Sequence, residues 1–561
     1  LCNLGPKGLP RPEVLCSVAA CKVMVNASQA GPVVPVELLP LRTEGRWILD
    51  SRDHRFRLKC VNWYGASGEL HVVHGLHKRS MADIVSDVVA WGFNCVRLPF
   101  SLELFFTDPP VPAHALAADP LSSRGGMTGL EAYDEAVATI TGAGLLVLVD
   151  NHSSESGWCC LANAEDGAWF TAHYPETRWI QALAAMARRY QSNPRVFGLE
   201  LRNEVRDAGD TQVVWGSGSV LDGRTAADWP SAAERAGNAI LEENPSLLIL
   251  VTGLCYGQDL RGARDRPVQL SVPGRLVWTS HSYHWYQWWH TDGIVDMRMP
   301  AGGALLAAAL LCCLAAAALL WRARREARAA TTLRASFETS FGLAGVLGAL
   351  LLAFGAARRA KGEGGACTDM GQREAEPFLI SGGVLLAAAL AGIVVSVLLR
   401  LRRWRRGAAE ADKPVDAGGG AEGASRARKR LPAHCLPLLL GLSLLLGGFA
   451  GFFLSTSSYW LTAAELNRHW GFALEEGQPY TAPVFLGEFG TDKRSDFWRA
   501  LVQYVGENEL SFAYWPLNGQ KWNHDEDRWQ DEWYGLLTKD WARVRHDWKL
   551  LDVVGYGSAG R

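Results

Sequence analysis

Polar side chains that could perform chemistry stand at the ends of a series of short apolar segments. Glu204 closely follows the apolar run at residues 196–201, and Glu488 ends the run at residues 484–488. Two carboxyl groups held close together can serve as a proton donor and a nucleophile. Alone, each such residue has an ordinary structural explanation, but their succession at consecutive strand ends indicates one shared site. The other candidates are Arg97, His152, Asn203, His281, Tyr283 and Trp515.

The elements that must position these side chains alternate between short apolar runs and amphipathic segments. Eight buried strands with helical spacers favour an α/β fold, a closed parallel (β/α)8 TIM barrel, over an open sheet. In such a barrel the carboxyl ends of the strands meet on one face, where catalytic residues lie. A further pair, residues 46–49 and 56–59, is predicted to form a hairpin that leads into the first strand. The predicted strands are Leu58–Tyr64, Asn94–Leu98, Leu145–Asp150, Val196–Leu201, Leu247–Thr252, Leu276–His281, Val484–Glu488 and Ser511–Trp515. The predicted helices include Met81–Trp91, Leu130–Thr141, Trp179–Tyr190 and Ala232–Glu242.

The amino-acid composition changes between the sixth and seventh predicted strands, and the alternating pattern stops there. Residues 301–456 are rich in Ala, Leu, Gly and Arg, and they contain four apolar stretches without internal charge. Each is near the length of about 20 residues that spans a bilayer as a helix. We therefore predict an all-α insert with four transmembrane helices after the sixth strand, at Ala301–Trp321, Phe341–Ala357, Phe378–Leu401 and Leu436–Leu454. Two alternatives remain open, namely buried-core helices and a gene-model error such as translated intron sequence.

The loops of this insert carry unequal numbers of basic residues. The first and third loops together hold 15 Lys and Arg, whereas the second holds 4. The excess of positive charge predicts that the first and third loops are cytoplasmic. Because four crossings return the chain to its starting side, both globular parts are expected together on the extracellular or lumenal side. The predicted organisation is residues 1–44 unassigned, 45–290 and 459–550 as the two parts of the barrel, 301–456 as the insert, and 551–561 as a tail.

The overall amino-acid composition adds few constraints on the partners and ligands of the chain. The formal net charge of −2 gives no reason to expect nucleic acid as a partner. The 12 Cys show no metal-ligand spacing, so we expect buried thiols with one or two disulfides and neither a metal nor a cofactor. The 23 Trp are many for this length, and their flat apolar faces suit stacking on sugar rings. The oligomeric state is left open.

Several motifs resemble those of a known family. "GFNCVRLPF", "LVDNH", "LELRNEV", "SHSYHW", "FLGEFG" and "AYWPLNG" are similar, in order, to the signatures of glycoside hydrolase family 5, the cellulase type. The resemblance covers residues 45–290 and 459–535. Val205 is a departure, because the family usually has proline after its acid/base glutamate.

The resemblance implies a role for each candidate residue. Retaining glycosidases need one carboxyl group as acid/base and another as nucleophile, about 5–5.5 Å apart. Glu204 resembles the acid/base and Glu488 the nucleophile. The remaining residues would bind substrate or orient these two carboxyls, with Trp515 as the platform beneath the reacting sugar: Arg97, His152, Asn203, His281, Tyr283, Trp515, Trp63 and Trp285.

The expected substrate is a β-linked oligo- or polysaccharide, and an endo-β-1,4-glucanase is the first hypothesis. A membrane-proximal glycosidase acting on glycolipids or mannan is the enzyme alternative. A catalytically inactive, membrane-anchored glycan-binding protein is the alternative of another class. Because the insert replaces a loop on the predicted catalytic face, we also expect the lipid bilayer as a partner and a cleft that faces it closely.

Overall fold

A closed barrel of parallel strands forms the centre of the computed structural model, which describes residues 33–160, 165–216, 225–284 and 458–555. The barrel order is β3-β4-β5-β6-β9-β10-β11-β12 and back to β3. The predicted (β/α)8 fold is therefore confirmed, and all eight predicted runs supply barrel strands. The strands are β1 (Arg42–Glu44), β2 (Trp47–Leu49), β3 (Lys59–Asn62), β4 (Cys95–Ser101), β5 (Leu146–Ser153), β6 (Val196–Glu200), β7 (Thr211–Val214), β8 (Thr225–Asp228), β9 (Leu248–Thr252), β10 (Leu276–His281), β11 (Val484–Phe489), β12 (Ser511–Tyr514), β13 (Gln520–Asn523) and β14 (Arg528–Asp531).

Helices cover the outside of the barrel, and their apolar stripes explain why. In α4, Trp179, Ala182, Leu183 and Met186 are buried at the i, i+3, i+4, i+7 spacing of one helix face. Between β9 and β10 the chain makes only short turns, including Arg261–Arg264, in place of a long helix. The helices are α1 (Met81–Ala90), α2 (Leu102–Thr107), α3 (Gly129–Gly142), α4 (Glu176–Arg189), α5 (Trp229–Glu243), α6 (Ser458–His469), α7 (Asp496–Glu507) and α8 (Asp547–Leu550).

The two-residue repeat of a strand sorts side chains between the barrel interior and the helices. On β5, Leu146 and Leu148 belong to the inner cluster, whereas Val147 and Val149 pack in the outer one. Asp150 follows at the same two-residue spacing as the inner pair. The same periodicity that fills the barrel with leucine therefore brings a buried carboxylate to its carboxyl end.

The predicted hairpin that leads into the first barrel strand forms only in part, as an isolated antiparallel bridge between Leu49 and Arg55. The antiparallel partner of β2 is the preceding β1, with Arg42 opposite Leu49. Gly45, at a φ of 52°, permits the tight turn between them. The segment at residues 56–59 makes one contact of the expected kind, since Phe56 N–H donates to Ile48 O at 2.8 Å.

The two parts of the chain that flank the predicted insert form one barrel. Strands β10 and β11 pair in parallel, with Trp278 opposite Val484 and Ser280 opposite Leu486. The four predicted transmembrane helices lie outside the described residues. Among the residues that are described, no helix is long and apolar enough to cross a membrane.

Candidate active site

Glu488 is held by two donors at the carboxyl end of the barrel. Arg97, fully buried on β4, donates from Nη1 to Glu488 Oε1 at 2.9 Å, and the Tyr283 hydroxyl donates to Glu488 Oε2 at 3.0 Å. Arg97 Nη2 also donates to Asn203 Oδ1 at 2.9 Å, and Nη1 to Asn62 Oδ1 at 2.9 Å. Both oxygens of Glu488 are thereby fixed in direction, which is the preparation that a nucleophilic carboxylate needs.

Three buried carboxyl groups surround the Arg97 guanidinium. Besides Glu488, Glu200 accepts from Arg97 Nε at 2.7 Å, and Asp150 lies 3.1 Å from Nη2. Burial raises the pKa of Glu200 to about 7 despite the attraction of Arg97. Burial alone would also raise the pKa of Asp150, but Arg97 and His152 outweigh it, so that pKa is lowered. One positive charge does not balance three negative ones, and the proton resides most readily on Glu200.

His281 joins the two candidate catalytic carboxyls. Its Nδ1 lies 3.0 Å from Glu204 Oε1 and 3.7 Å from Glu488 Oε2. Burial lowers its pKa to about 4, so the imidazole is neutral near pH 7. The ring fits only because residue 487 is glycine: a Cβ on Gly487 would lie 2.5 Å from Thr279 Oγ1 and 3.1 Å from His281 Nε2.

Glu204 lies on a strained turn just beyond β6. Its φ of 41° is in the left-handed region, which is uncommon for a residue other than glycine. Arg206 Nη1 donates to its backbone oxygen at 3.0 Å and supports this turn. Oxygens of Glu204 and Glu488 lie within 4.8 Å of each other. This close approach favours the retaining geometry of about 5–5.5 Å over the inverting one of about 6.5–9.5 Å.

His152 occupies the wall next to these carboxyls. Its Nδ1 lies 2.7 Å from Asp150 Oδ2, which orients the ring. The ring is parallel to that of Trp515, with an interplanar angle of 1° and centroids 5.7 Å apart. The structure thus brings Arg97, His152, Asn203, His281, Tyr283 and Trp515 together around Glu204 and Glu488, as the strand-end reasoning predicted.

A cavity of about 440 Å³ opens between the two glutamates and the loops beyond the strands. Trp515 forms part of its wall and stacks on Tyr64, with centroids 4.9 Å apart and an interplanar angle of 11°. Apolar ring faces beside a few fixed polar groups are typical of sites that bind sugars. The lining includes His152, Glu204, Tyr283, Glu488 and Trp515, together with Tyr64, Trp158, Lys521, Trp522, Glu532, Trp533 and Tyr534.

The prediction that Trp63 binds substrate was wrong. Trp63 is fully buried and donates from its indole nitrogen to His74 O at 2.9 Å, so it is a core residue. Since Asn62 points toward Arg97, strand alternation turns Trp63 outward and returns Tyr64 to the cavity. That rule could have identified Tyr64 from sequence. Trp285, which is also predicted to bind substrate, lies outside the described residues.

A small hairpin that the sequence reasoning did not anticipate supplies the far wall. Strands β13 and β14 pair from Gln520 to Asp531, and Lys521 lies over the ring of Trp158, 4.7 Å from its centroid. The Tyr64 hydroxyl donates to Glu532 at 2.7 Å, and burial raises the pKa of that carboxyl. Trp533 is 65% exposed, which leaves its ring available to a ligand.

Two groups of side chains in the described residues have the spacing of metal ligands. One joins Glu204, His281 and Glu488, and the other joins Cys159, Cys160 and Glu204. Cys159 and Cys160 form a disulfide, however, and a metal ligand is a thiolate. A second disulfide joins Cys60 and Cys95 on the paired strands β3 and β4. The expected absence of a metal and a cofactor stays a prediction.

Comparison with known proteins supports the resemblance found in the motifs. Residues 52–302 match the Cellulase family, described as glycosyl hydrolase family 5. An endoglucanase from Paenibacillus polymyxa is 32% identical over 273 residues, which are 46% of this chain and 64% of that protein. The major extracellular endoglucanase of Xanthomonas campestris pv. campestris is 32% identical over 252 residues, which are 45% of this chain and 46% of that protein. The chain thus spans about half to two thirds of the length of these relatives.

Solved structures of other proteins share the barrel fold of this chain. The catalytic domain of the major endoglucanase from Xanthomonas campestris pv. campestris is 20% identical, with a TM-score of 0.52, and the comparison covers 92% of this chain and 99% of that one. A hyperthermophilic endocellulase from Pyrococcus horikoshii is 18% identical, with a TM-score of 0.51 and the same coverages of 92% and 99%. At these identities the likeness establishes the barrel fold. Residues 52–302 therefore match the catalytic domain of glycosyl hydrolase family 5, the cellulase family, as the motifs predicted.

Proposed function

We propose that this chain is a retaining O-glycosyl hydrolase, and more specifically an endo-β-1,4-glucanase. The observation that carries the proposal is the approach of Glu204 and Glu488 to within 4.8 Å, with Arg97 and Tyr283 bonded to the two oxygens of Glu488. A binding protein would not need two buried carboxyls so close together. The relatives named endoglucanase support the choice of a β-glucan as substrate.

Each glutamate has a distinct part in the two steps. Glu488 attacks the anomeric carbon while Glu204 gives a proton to the departing glycosidic oxygen, so that a covalent glycosyl ester forms. Water then enters, Glu204 takes its proton, and the ester to Glu488 is broken with overall retention of configuration. His281, neutral near pH 7, can donate a hydrogen bond to Glu204 without adding a charge.

Asn203 would contact the sugar in the reacting position. Its side-chain oxygen is occupied by Arg97, which directs the amide nitrogen away from that guanidinium. This nitrogen would donate to the sugar 2-hydroxyl, a bond that strengthens as positive charge develops at the neighbouring carbon. Trp515 would lie beneath the same ring and contribute apolar contact.

Product stereochemistry tests the mechanism. Cello-oligosaccharide hydrolysis followed by proton NMR should release the β-anomer first, with α appearing only by mutarotation. The matched variants Glu204→Gln and Glu488→Gln should each lose activity while keeping the melting temperature of the wild type. Initial release of the α-anomer would contradict the two-step scheme. Glycan binding without any hydrolysis would instead support the alternative of an inactive glycan-binding protein.

The second candidate is a membrane-proximal glycosidase acting on glycolipids or mannan. It is favoured by the place of the predicted insert, in the connection from β10 to β11, which leaves the barrel on the face that carries Glu204 and Glu488. Rates on carboxymethyl cellulose, mannan and glucosylceramide vesicles would separate the candidates. The highest kcat/KM on the soluble β-1,4-glucan supports the glucanase, and the highest on the vesicles supports the glycolipid enzyme.

We also propose that residues 301–456 anchor the chain as a multi-pass membrane protein, with the barrel on the extracellular or lumenal side. The support comes from sequence: four apolar stretches without charge in their interiors, and 15 basic residues in the first and third loops against 4 in the second. After alkaline carbonate extraction the chain should stay in the membrane pellet, and single cysteines at the barrel mouth should react with an impermeant maleimide only from the non-cytoplasmic side. Release into the supernatant would contradict the anchor.

A further inference from the structure

The wall of the cavity beside Glu204 contains a disulfide between two consecutive residues. Cys159 and Cys160 both line the cavity, and their sulfur atoms lie within 4.8 Å of a carboxyl oxygen of Glu204. Both residues are partly exposed. The other disulfide that the structure describes, Cys60–Cys95, is fully buried in the barrel. A reductant dissolved in water therefore reaches the cavity pair first.

The disulfide contacts side chains that the proposed mechanism uses. Asn203 Nδ2 lies 3.4 Å from Cys159 Sγ and 3.6 Å from Cys160 Sγ. Cys159 Sγ also lies 3.4 Å from His152 Nε2. Arg97 donates to the oxygen of the Asn203 side-chain amide, and the two sulfur atoms contact its nitrogen. Contacts at both polar atoms therefore fix the orientation of the amide.

We propose that the Cys159–Cys160 disulfide positions Asn203 for the sugar 2-hydroxyl, so that the enzyme works at full rate only in its oxidised form. This inference rests on the proposed glycosidase function. A disulfide sulfur is a weak acceptor without a proton, and it yields the Asn203 N–H readily to a stronger acceptor such as a hydroxyl. Two thiols would rotate independently, and each would bring an S–H donor to the place of an acceptor.

The kinetic consequence has a defined form. Because the bond to the 2-hydroxyl strengthens in the transition state, a displaced Asn203 should lower kcat more than it raises KM. The loss of one oriented hydrogen bond corresponds to a fall of about tenfold in kcat/KM. Cys159 and Cys160 are positioning residues in this scheme, since they act through Asn203.

The experiment compares the full chain before and after reduction with a water-soluble phosphine. The phosphine attacks one sulfur and breaks the S–S bond; water then supplies the oxygen of the phosphine oxide and the protons of the two thiols. Alkylation and peptide mass mapping establish that Cys159 and Cys160 have become thiols while Cys60 and Cys95 remain joined. Two substrates are used, an aryl β-cellobioside and its analogue without the 2-hydroxyl on the reacting ring.

Reduction should lower kcat/KM for the first substrate about tenfold, mainly through kcat, and leave the rate on the 2-deoxy analogue unchanged. Reoxidation should restore the rate. The double variant Cys159→Ser/Cys160→Ser should have the low rate of the reduced wild type before any treatment, and the phosphine should not change it. Cys255→Ala, which removes a buried cysteine outside both disulfides, should respond like the wild type.

Equal kcat/KM for the verified dithiol and the disulfide would overturn the inference and leave the glycosidase function intact. An equal loss on both substrates would also overturn it, because the disulfide would then act on the site at large and not through Asn203. If the oxidised chain hydrolyses neither substrate and no other β-glycan, the proposed function itself fails, and this inference fails with it.

Discussion

Removal of one hydroxyl, in Tyr283→Phe, probes how Glu488 is prepared for attack. The Tyr283 hydroxyl donates to Glu488 Oε2 at 3.0 Å in a buried site, while Arg97 holds the other oxygen. A hydrogen bond to a charged group contributes about 1.5–3 kcal/mol. If that bond orients and stabilises the attacking carboxylate, the variant should lose about 10- to 150-fold in kcat/KM, at about 1.4 kcal/mol for each factor of ten.

The assay is kcat and KM for an aryl β-cellobioside, together with a thermal melt of each protein. Tyr480→Phe is the matched control, because the Tyr480 hydroxyl makes the same bond to a glutamate, Glu475, at 3.0 Å on an exposed surface. The control should keep full activity. A Tyr283→Phe enzyme with unchanged kcat/KM and an unchanged melt would refute the reasoning that Tyr283 prepares the nucleophile.

Three further outcomes follow from the packing and charges of the site. Gly487→Ala should abolish activity and lower the melting temperature, since the new methyl meets Thr279 Oγ1 at 2.5 Å; a fully active variant in steady-state assays would contradict that contact. Folded Glu200 keeps its proton to higher pH than the unfolded chain, so the stability of the wild type relative to Glu200→Gln should fall as the pH rises from about 4.5 to about 7; parallel melting curves for the two proteins over that range would argue against it. Trp533→Ala should raise KM severalfold with an unchanged melt, whereas Trp63→Ala should lower the melting temperature, and exchange of these two results would overturn their assignment to cavity wall and core.

The strand-end residues could be predicted from sequence because parallel strands of a barrel converge at one face. Arg97 and Glu488 are 391 positions apart in the chain, yet each directly ends or lies in an apolar run, and the barrel brings them to 2.9 Å. The predicted insert of about 155 residues between β10 and β11 leaves this convergence intact. The two flanking strands pair directly with each other, and their pairing sets the register of the barrel at that point.

Other features of the candidate site were not predicted from the strand ends, or were predicted only in part. Trp63 was misassigned because it was chosen for an aromatic face that suits sugar stacking, whereas strand alternation sends that residue outward and Tyr64 inward. Glu200 was overlooked, although a lone carboxylate within an apolar strand is a signal of a buried charge. The adjacency of Cys159 and Cys160 was visible in the sequence, but their contact with Asn203 depends on how a loop folds back over the barrel.

Trapping of the covalent intermediate tests the central claim most directly. A 2-deoxy-2-fluoro cellobioside with fluoride as leaving group should inactivate the chain, and mass mapping should find one glycosyl adduct on Glu488. The adduct should still form in Glu204→Gln, since the fluoride leaving group needs no proton from an acid, and should be absent in Glu488→Gln. An adduct on a different residue, or steady hydrolysis of natural substrate by a chain that never forms one, would contradict the assignment of Glu488 as the nucleophile.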